Sequence, residues 1–324
     1  METTIRITIT RMVLPKFKYI YMIRKVLHLE TTNRCTLKCP ACPRTIWQKY
    51  LGQPIAKADL DIDHLEHFLD CESSKEIEYF TLCGDYGDTI YYPRLFELIK
   101  RFRHKKFRIH TNGSYKTSEW WHTLNSLLTD KDQIIFAIDG IGKENEKYRI
   151  NADWPSIEKG IDIMTSGPAK ITMKTLLFDF NYKKMNEFQE YADKKGMEWI
   201  TEKTHRFGDE NIAPKDKEFV NTKEMYKEDY EKKIPMEIVP QCLIAAVVTS
   251  DGYFMPCDWI RNPLTFFKSE LFLDRERWID RLKISDINLD DAYAVLHEWI
   301  ANVIQKGKTG QAEVLCKMKC RENG

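Results

Sequence analysis

Three cysteines with metal-ligand spacing stand in the segment Glu30-Thr-Thr-Asn-Arg-Cys35-Thr-Leu-Lys-Cys39-Pro-Ala-Cys42-Pro-Arg44, as C-x3-C-x2-C. Thiolates are soft ligands that suit iron–sulfur clusters and zinc. A closed structural zinc site takes four ligands, and no fourth Cys or His lies close in sequence to Cys35, Cys39 and Cys42. Three thiolates on a four-iron cube leave one iron without a protein ligand. That iron can chelate a small molecule, so the ligand count favours catalysis over scaffolding.

A second group lies towards the other end: Cys242, Cys257, Cys316 and Cys320. A hairpin turning at Asp251-Gly252 brings Cys242 and Cys257 towards one another. Cys316 and Cys320 have only three residues between them, so one metal can take both. Four thiolates close a coordination sphere, which suits a fully ligated cluster or zinc. Cys71 and Cys83 stand alone and are expected to be small buried apolar residues.

The elements that position these residues follow from hydrophobic periodicity. Ile5, Ile7 and Ile9 alternate with Arg6, Thr8 and Thr10, which predicts a short strand over 5–13. From Val26 onwards, apolar runs alternate with amphipathic stretches: Val26–Glu30, Ile77–Leu82, Phe107–His110, Ile134–Ile138, Ile171–Phe178 and Glu198–Thr204. Helices are expected between them, such as Leu95–Arg103 and Lys184–Lys195, the latter stopping at Gly196. Strands alternating with helices imply an α/β fold with a parallel sheet, here a partial (β/α)6 TIM-like barrel. In such folds function collects on loops after the strands' C-terminal ends. Those loops start at Thr31, Cys83, Thr111 and Asp139.

Four regions are expected: an N-terminal extension over 1–25, the barrel over 26–208, a charged linker over 209–236 and a small hairpin-plus-helix domain over 237–324. The linker, rich in Lys, Glu and Asp, reads as solvated chain or an exposed helix. The last region carries strands over Leu243–Thr249 and Tyr253–Pro256 and a helix near Asp290–Gln305.

The 324 residues carry 50 Lys plus Arg against 49 Asp plus Glu, a net charge of +1, so composition gives no reason to expect nucleic acid as a partner. No apolar run approaches the roughly 20 residues that span a bilayer. The first residues lack a basic stretch followed by an apolar core, so no secretory signal is expected. Nine cysteines without an export signal imply a reducing, cytoplasmic compartment, where clustered cysteines bind metal or react. His28, within the first strand, is expected to be a satisfied core histidine.

The loops after later strands hold Gly84-Asp-Tyr-Gly87-Asp88-Thr89, Thr111-Asn112-Gly113, and Asp139-Gly140 followed by Tyr148-Arg149. Glycines let the backbone approach a ligand closely, and a carboxylate suits an ammonium group. Asn112-Gly113 is equally a turn signal, and Asp139 and Arg149 are equally a helix cap and a surface ion pair.

The phrase CysThrLeuLysCysProAlaCysProArg after a first strand resembles the signature of the radical S-adenosylmethionine superfamily. Ala41 departs from it, since many members carry an aromatic there. The resemblance implies a [4Fe–4S] cluster on Cys35, Cys39 and Cys42 that binds S-adenosylmethionine and cleaves it to a hydrogen-abstracting 5′-deoxyadenosyl radical. It implies that Gly84, Gly87 and Asp88 grip the methionine amino group, although Thr89 replaces the usual proline. Asn112 would bond the ribose or the methionine carboxylate, and Asp139 would face the substrate. The pattern C…G-x4-C…C-x3-C resembles SPASM and twitch extensions, which implies a second, auxiliary [4Fe–4S] cluster on Cys242, Cys257, Cys316 and Cys320. An electron donor such as flavodoxin or ferredoxin is implied. The expected substrate is a peptide or protein side chain. The alternatives are a small molecule such as a sugar, aminocyclitol or nucleotide, or a non-catalytic zinc or iron–sulfur protein.

Overall fold

The computed structural model describes residues 25–84, 86–204, 207, 212–221, 235, 238–239, 242, 246–258, 268–312, 316–317 and 320. The expected strand over 5–13 lies outside these residues. Each of the six apolar runs forms a strand: β1 Val26–Leu29, β2 Tyr79–Leu82, β3 Lys106–Thr111, β4 Gln133–Ala137, β5 Lys170–Leu176 and β6 Glu198–Glu202. All five neighbouring pairs are parallel. Parallel neighbours need a crossover, and helices supply it: α1 Pro43–Leu51, α2 Ile62–Phe68, α3 Leu95–Arg101, α4 Ser118–Leu127, α5 Trp154–Thr165 and α6 Met185–Lys194.

Side-chain caps fix where several helices begin. Asp61 accepts from the Asp63 and His64 N–H groups at α2, Thr117 from Trp120 at α4, and Asp153 from Ser156 at α5. Each such cap stabilises by about 1 kcal/mol. Past the end of α6, Gly196 takes φ +69°, as its position after the helical pattern predicts.

One face of the sheet packs on the helices. Leu27, Leu29, Phe80, Leu82, Phe107, Ile109, Ile134 and Phe136 point that way and are buried. Trp121 of α4 is fully buried and lies 5.6 Å from the Phe136 ring. Gly160 of α5 makes room for it, since a Cβ there would come within 2.6 Å of the indole.

The expected boundary at 237 does not divide the sheet. Strands β7 Val247–Val248 and β8 Phe254–Met255 form the predicted hairpin, turning at Gly252 with φ +86°. β7 pairs parallel with β1, His28 against Val247, so the order is β6-β5-β4-β3-β2-β1-β7-β8. The helices α7 Glu270–Leu273 and α8 Leu289–Lys308 follow. Trp278 and Trp299 join the same hydrophobic core as the barrel strands, and Phe254 lies 5.4 Å from Phe68 of α2. Leu243, which was expected to begin the hairpin, is outside the described residues.

The described part of the charged linker lies against the barrel. Val220 bridges Thr204, Phe219 lies 5.2 Å from the Tyr182 ring, and Asp179 N–H donates to Ile212 O at 2.8 Å. Among the described residues no helix is long and apolar enough to cross a membrane.

Candidate functional site

β1 ends one residue before Glu30, and the chain leaves the C-terminal edge of the sheet carrying Cys35, Cys39 and Cys42. The loop is held from several sides. Lys38 N–H donates to Ile150 O at 2.9 Å, and Asn151 Nδ2 donates to Thr36 O at 2.8 Å. Thr36 Oγ1 meets the Tyr91 hydroxyl at 2.8 Å, and Tyr91 donates onward to Ser114 O at 2.6 Å. Loops after β2, β3 and β4 therefore all buttress the cysteines. None of Thr36, Tyr91 or Asn151 stood out in the sequence, because hydroxyl and amide residues on loops are ordinary. Asn151 and Tyr115 are the two non-glycine residues with positive φ among those described, at +71° and +60°.

All three thiols are half-buried. Burial pushes the Cys35 thiol up to about 12; nearby Asp88 adds to this, and the Leu37 N–H and Arg44 oppose it. Burial likewise pushes Cys39 up to about 11, against the charges of Arg149 and Arg44. Cys42 adds like charge to both neighbours, so the three sulfurs share one electrostatic environment. Leu37 N–H donates to Cys35 Sγ at 3.4 Å, and Asn112 Nδ2 donates to it at 3.6 Å. Among the described residues, no three His, Cys, Asp or Glu side chains gather as a single-ion site.

These residues suit an anionic iron–sulfur cluster. N–H donors to sulfur and nearby guanidinium charge favour bound thiolate. Arg44, at the start of α1, is buried and donates through Nη2 to Leu37 O. Its Nε–H has no acceptor among the described residues, which leaves a donor beside the cysteines for a negatively charged group. The motif phrase contains Arg44, but sequence alone gave it no task.

The glycine-rich loop meets the cysteine loop directly. A Cβ on Gly87 would lie 2.0 Å from Thr32 O, and one on Gly84 would lie 2.6 Å from Gly87 O. Both glycines therefore serve close backbone contact within the protein. Asp88 follows, buried, and accepts from Asn112 N, Asn112 Nδ2 and Ile90 N. Burial pushes its carboxyl up, and these bonds pull it back. The structure thus brings Gly84, Gly87, Asp88 and Asn112 together behind Cys35, with the Asp88 carboxylate turned into the protein.

Asp139 stands two residues past the end of β4. It is fully buried, its Oδ1 accepts from Leu176 N–H at 2.8 Å, and its Oδ2 lies 2.9 Å from Arg149 Nε. Burial opposes the Arg149 charge, and Asp139 and Cys39 restore it. Desolvation explains the placement, since a buried carboxylate persists only when paired and hydrogen-bonded. Ala41 packs on Tyr148 and Phe178, whose rings lie 4.3 Å apart, so aromatic surface flanks the position where the motif lacks it.

In the second group, Cys242, Cys316 and Cys320 are buried and Cys257 is half-buried. Burial and neighbouring Cys320 push the Cys242 thiol up to about 12, while a hydrogen bond from Trp299 of α8 opposes the shift. Val239 N–H donates to Cys320 O at 2.5 Å. Cys71 and Cys83 are half-buried rather than buried. His28 is satisfied, with Nε2 on Cys83 O.

No protein-family model matches the chain. A curated relative from Pyrococcus furiosus, "Tungsten-containing aldehyde ferredoxin oxidoreductase cofactor-modifying protein", is 31% identical over 120 residues. That stretch is 36% of this chain and 31% of the relative, so the likeness spans about a third of the relative's length. Among solved structures, anSMEcpe with bound AdoMet is similar with a TM-score of 0.54 at 18% identity, over 84% of this chain and 78% of that one. SuiB of Streptococcus suis bound to S-adenosylmethionine also has a TM-score of 0.54, at 12% identity over 76% of this chain and 64% of that one. These likenesses bear out the partial α/β barrel that the alternating strands and helices implied.

Proposed function

We propose that this chain is a radical S-adenosylmethionine enzyme in which Cys35, Cys39 and Cys42 hold a [4Fe–4S] cluster. The carrying observation is the placement of three thiols on the loop after β1, with Asn112 and Asp88 from the next two strand-end loops locked behind Cys35. Such a cluster, when bound, supplies an open iron for the amino and carboxylate groups of S-adenosylmethionine and the electron that breaks its C–S bond, yielding a 5′-deoxyadenosyl radical that abstracts hydrogen from substrate.

The chain's own residues orient and insulate. Leu37 N–H and Asn112 Nδ2 stabilise negative charge on Cys35 Sγ. Arg44 and Arg149 place positive charge near Cys39, and the free Nε–H of Arg44 suits a carboxylate or sulfide neighbour. Tyr148 and Phe178 offer an aromatic wall beside Ala41. Cys242, Cys257, Cys316 and Cys320 would hold the auxiliary cluster, with the Trp299 N–H bonded to Cys242 sulfur. One electron at a time would reach the first cluster from a reduced flavodoxin or ferredoxin.

For substrate, the favoured reading is a peptide or protein side chain. Its support is the shared fold with a SuiB structure bound to precursor peptide SuiA and an anSMEcpe structure with Cp18Cys peptide. A second reading, a small cofactor-like molecule, draws on the name of the Pyrococcus furiosus relative.

Anaerobic reconstitution tests the enzyme. About eight irons per chain are expected from two four-iron clusters, with 5′-deoxyadenosine formed from S-adenosylmethionine under dithionite. Stoichiometric zinc and no cleavage would instead favour a non-catalytic metalloprotein.

A further inference from the structure

The sheet face turned away from the helices forms the interior of the half-barrel, and β3 contributes Arg108 and His110 to it. The register sets Arg108 between Thr81 and Gln133, and His110 beside Ile135. Arg108 Nε donates to Gln133 Oε1 at 3.1 Å, and its guanidinium lies 5.7 Å from the centre of the Tyr79 ring. Both partners are neutral.

That is unusual for an arginine of this barrel. Arg34, Arg94, Arg101, Arg103 and Arg149 each pair with a carboxylate. Arg44, beside the cysteines, and Arg108, in the interior, have no carboxylate partner among the described residues. A half-buried guanidinium without a counter-charge forgoes its strongest hydrogen bonds, which are bidentate to carboxylate or phosphate.

His110 strengthens the pattern. Its ring makes no hydrogen bond among the described residues. The charged groups that face it are Lys174, His28 and Arg108, all basic. Of these, Lys174 is engaged by Glu202, and His28 by Cys83 O. Arg108 and His110 are two residues apart on one strand, so their side chains stand on the same face about 7 Å apart at the backbone, a span one oxyanion group can bridge.

We propose that Arg108 and His110 form an anion-binding site inside the half-barrel, and that the substrate is held there by a carboxylate or phosphate group. The inference rests on reading this interior as the substrate side of a radical S-adenosylmethionine barrel. It narrows the substrate to a molecule that carries such a group.

The test is calorimetric titration of the reconstituted protein, with S-adenosylmethionine present, using inorganic phosphate in one arm and glutarate in the other. Binding is expected in at least one arm, weakened tenfold or more in Arg108→Gln, while Lys100→Gln on the exposed side of α3 binds as wild type. His110→Gln is expected to remove the strengthening of binding that acidification gives the wild type. Phosphate binding alone assigns a phosphorylated substrate, and glutarate binding alone a carboxylate one. No binding in either arm, or equal binding by Arg108→Gln folded to the wild-type melting temperature, overturns the proposal. Titration does not depend on S-adenosylmethionine cleavage, so its failure is separate from failure of the enzyme reading, which 5′-deoxyadenosine reports.

Discussion

The carboxylate of Asp88 holds Asn112 twice, its Oδ2 accepting from the backbone N–H at 2.6 Å and from Nδ2 at 2.5 Å. The same Nδ2 lies 3.6 Å from Cys35 Sγ. One acid thereby fixes the loop after β3 to the loop after β2 and aims an amide donor at a candidate cluster ligand. The acid acts on the candidate cluster ligand through Asn112.

Asp88→Ala is therefore expected to cost about 2–4 kcal/mol, because the N–H groups of Asn112 and Ile90 lose their acceptor in a buried setting. Asp88→Asn should cost less, since an amide oxygen still accepts. Urea unfolding of the metal-free protein measures both. Equal losses in the two variants would show that the hydrogen bonds do not matter there.

Gly87→Ala probes the contact between the two loops. The added Cβ would meet Thr32 O at 2.0 Å, and backbone cannot rotate aside as a side chain can. A destabilisation of about 2–3 kcal/mol is expected, with weaker S-adenosylmethionine binding in equilibrium dialysis. Gly142→Ala is the comparison. Its φ is positive, at +66°, but no atom lies within 4 Å of its Cβ, so backbone strain acts there without any close contact.

The parallel barrel was legible because each of its six strands is a short apolar run between helical patterns; thiol spacing marked Cys35, Cys39 and Cys42 as candidates, and they share the loop after β1. The burial of Asp139 was hidden because it is not written in the residue's type: Asp139-Gly140 fits an open loop as well as a buried one. Arg149 could be suspected of pairing, but not with which acid. The hairpin's place beside β1 was hidden too, since sheet order between distant strands leaves no local pattern. Arg44, Asn151 and Trp299 gain meaning only from what folds against them.

His110 gives the molecule a defined response to acid. Burial, with Lys174, His28 and Arg108 nearby, lowers its folded value to about 3 from the ordinary 6.5. Between those values the unfolded chain takes up a proton that the folded one refuses. Stability from this group is complete above pH 6.5 and falls as pH drops, by up to roughly 1.4 kcal/mol per pH unit. His110→Gln should flatten that part of the profile between pH 6 and pH 4. An unchanged slope in unfolding free energy would show that His110 titrates normally.

Cysteine replacement should separate the two proposed metal sites. Cys39→Ser is expected to abolish 5′-deoxyadenosine formation and remove about four irons. Cys242→Ser should remove a similar amount but leave S-adenosylmethionine cleavage measurable. Iron assays and low-temperature electron paramagnetic resonance of the reduced protein distinguish the cases. Full iron content in Cys242→Ser would remove the auxiliary cluster from this account.

The buried pair of Asp139 and Arg149 allows the sharpest stability test. Removing the guanidinium in Arg149→Met leaves a carboxylate fully buried with only the Leu176 N–H, an expected loss of about 3–5 kcal/mol. Asp139→Asn keeps an acceptor for Leu176 but strands the Arg149 charge, and should cost about as much. The double variant removes both charges and retains that acceptor, so its loss should be smaller than the sum of the singles by about 2 kcal/mol or more. The flanking Tyr148 and Ile150 contact the cysteine loop, through packing on Ala41 and the Lys38 hydrogen bond. The single variants should therefore also slow cluster reconstitution, and the double variant should restore it in part. Strict additivity of the unfolding energies would mean that the two charges do not depend on one another, and that the cysteine loop is held without them.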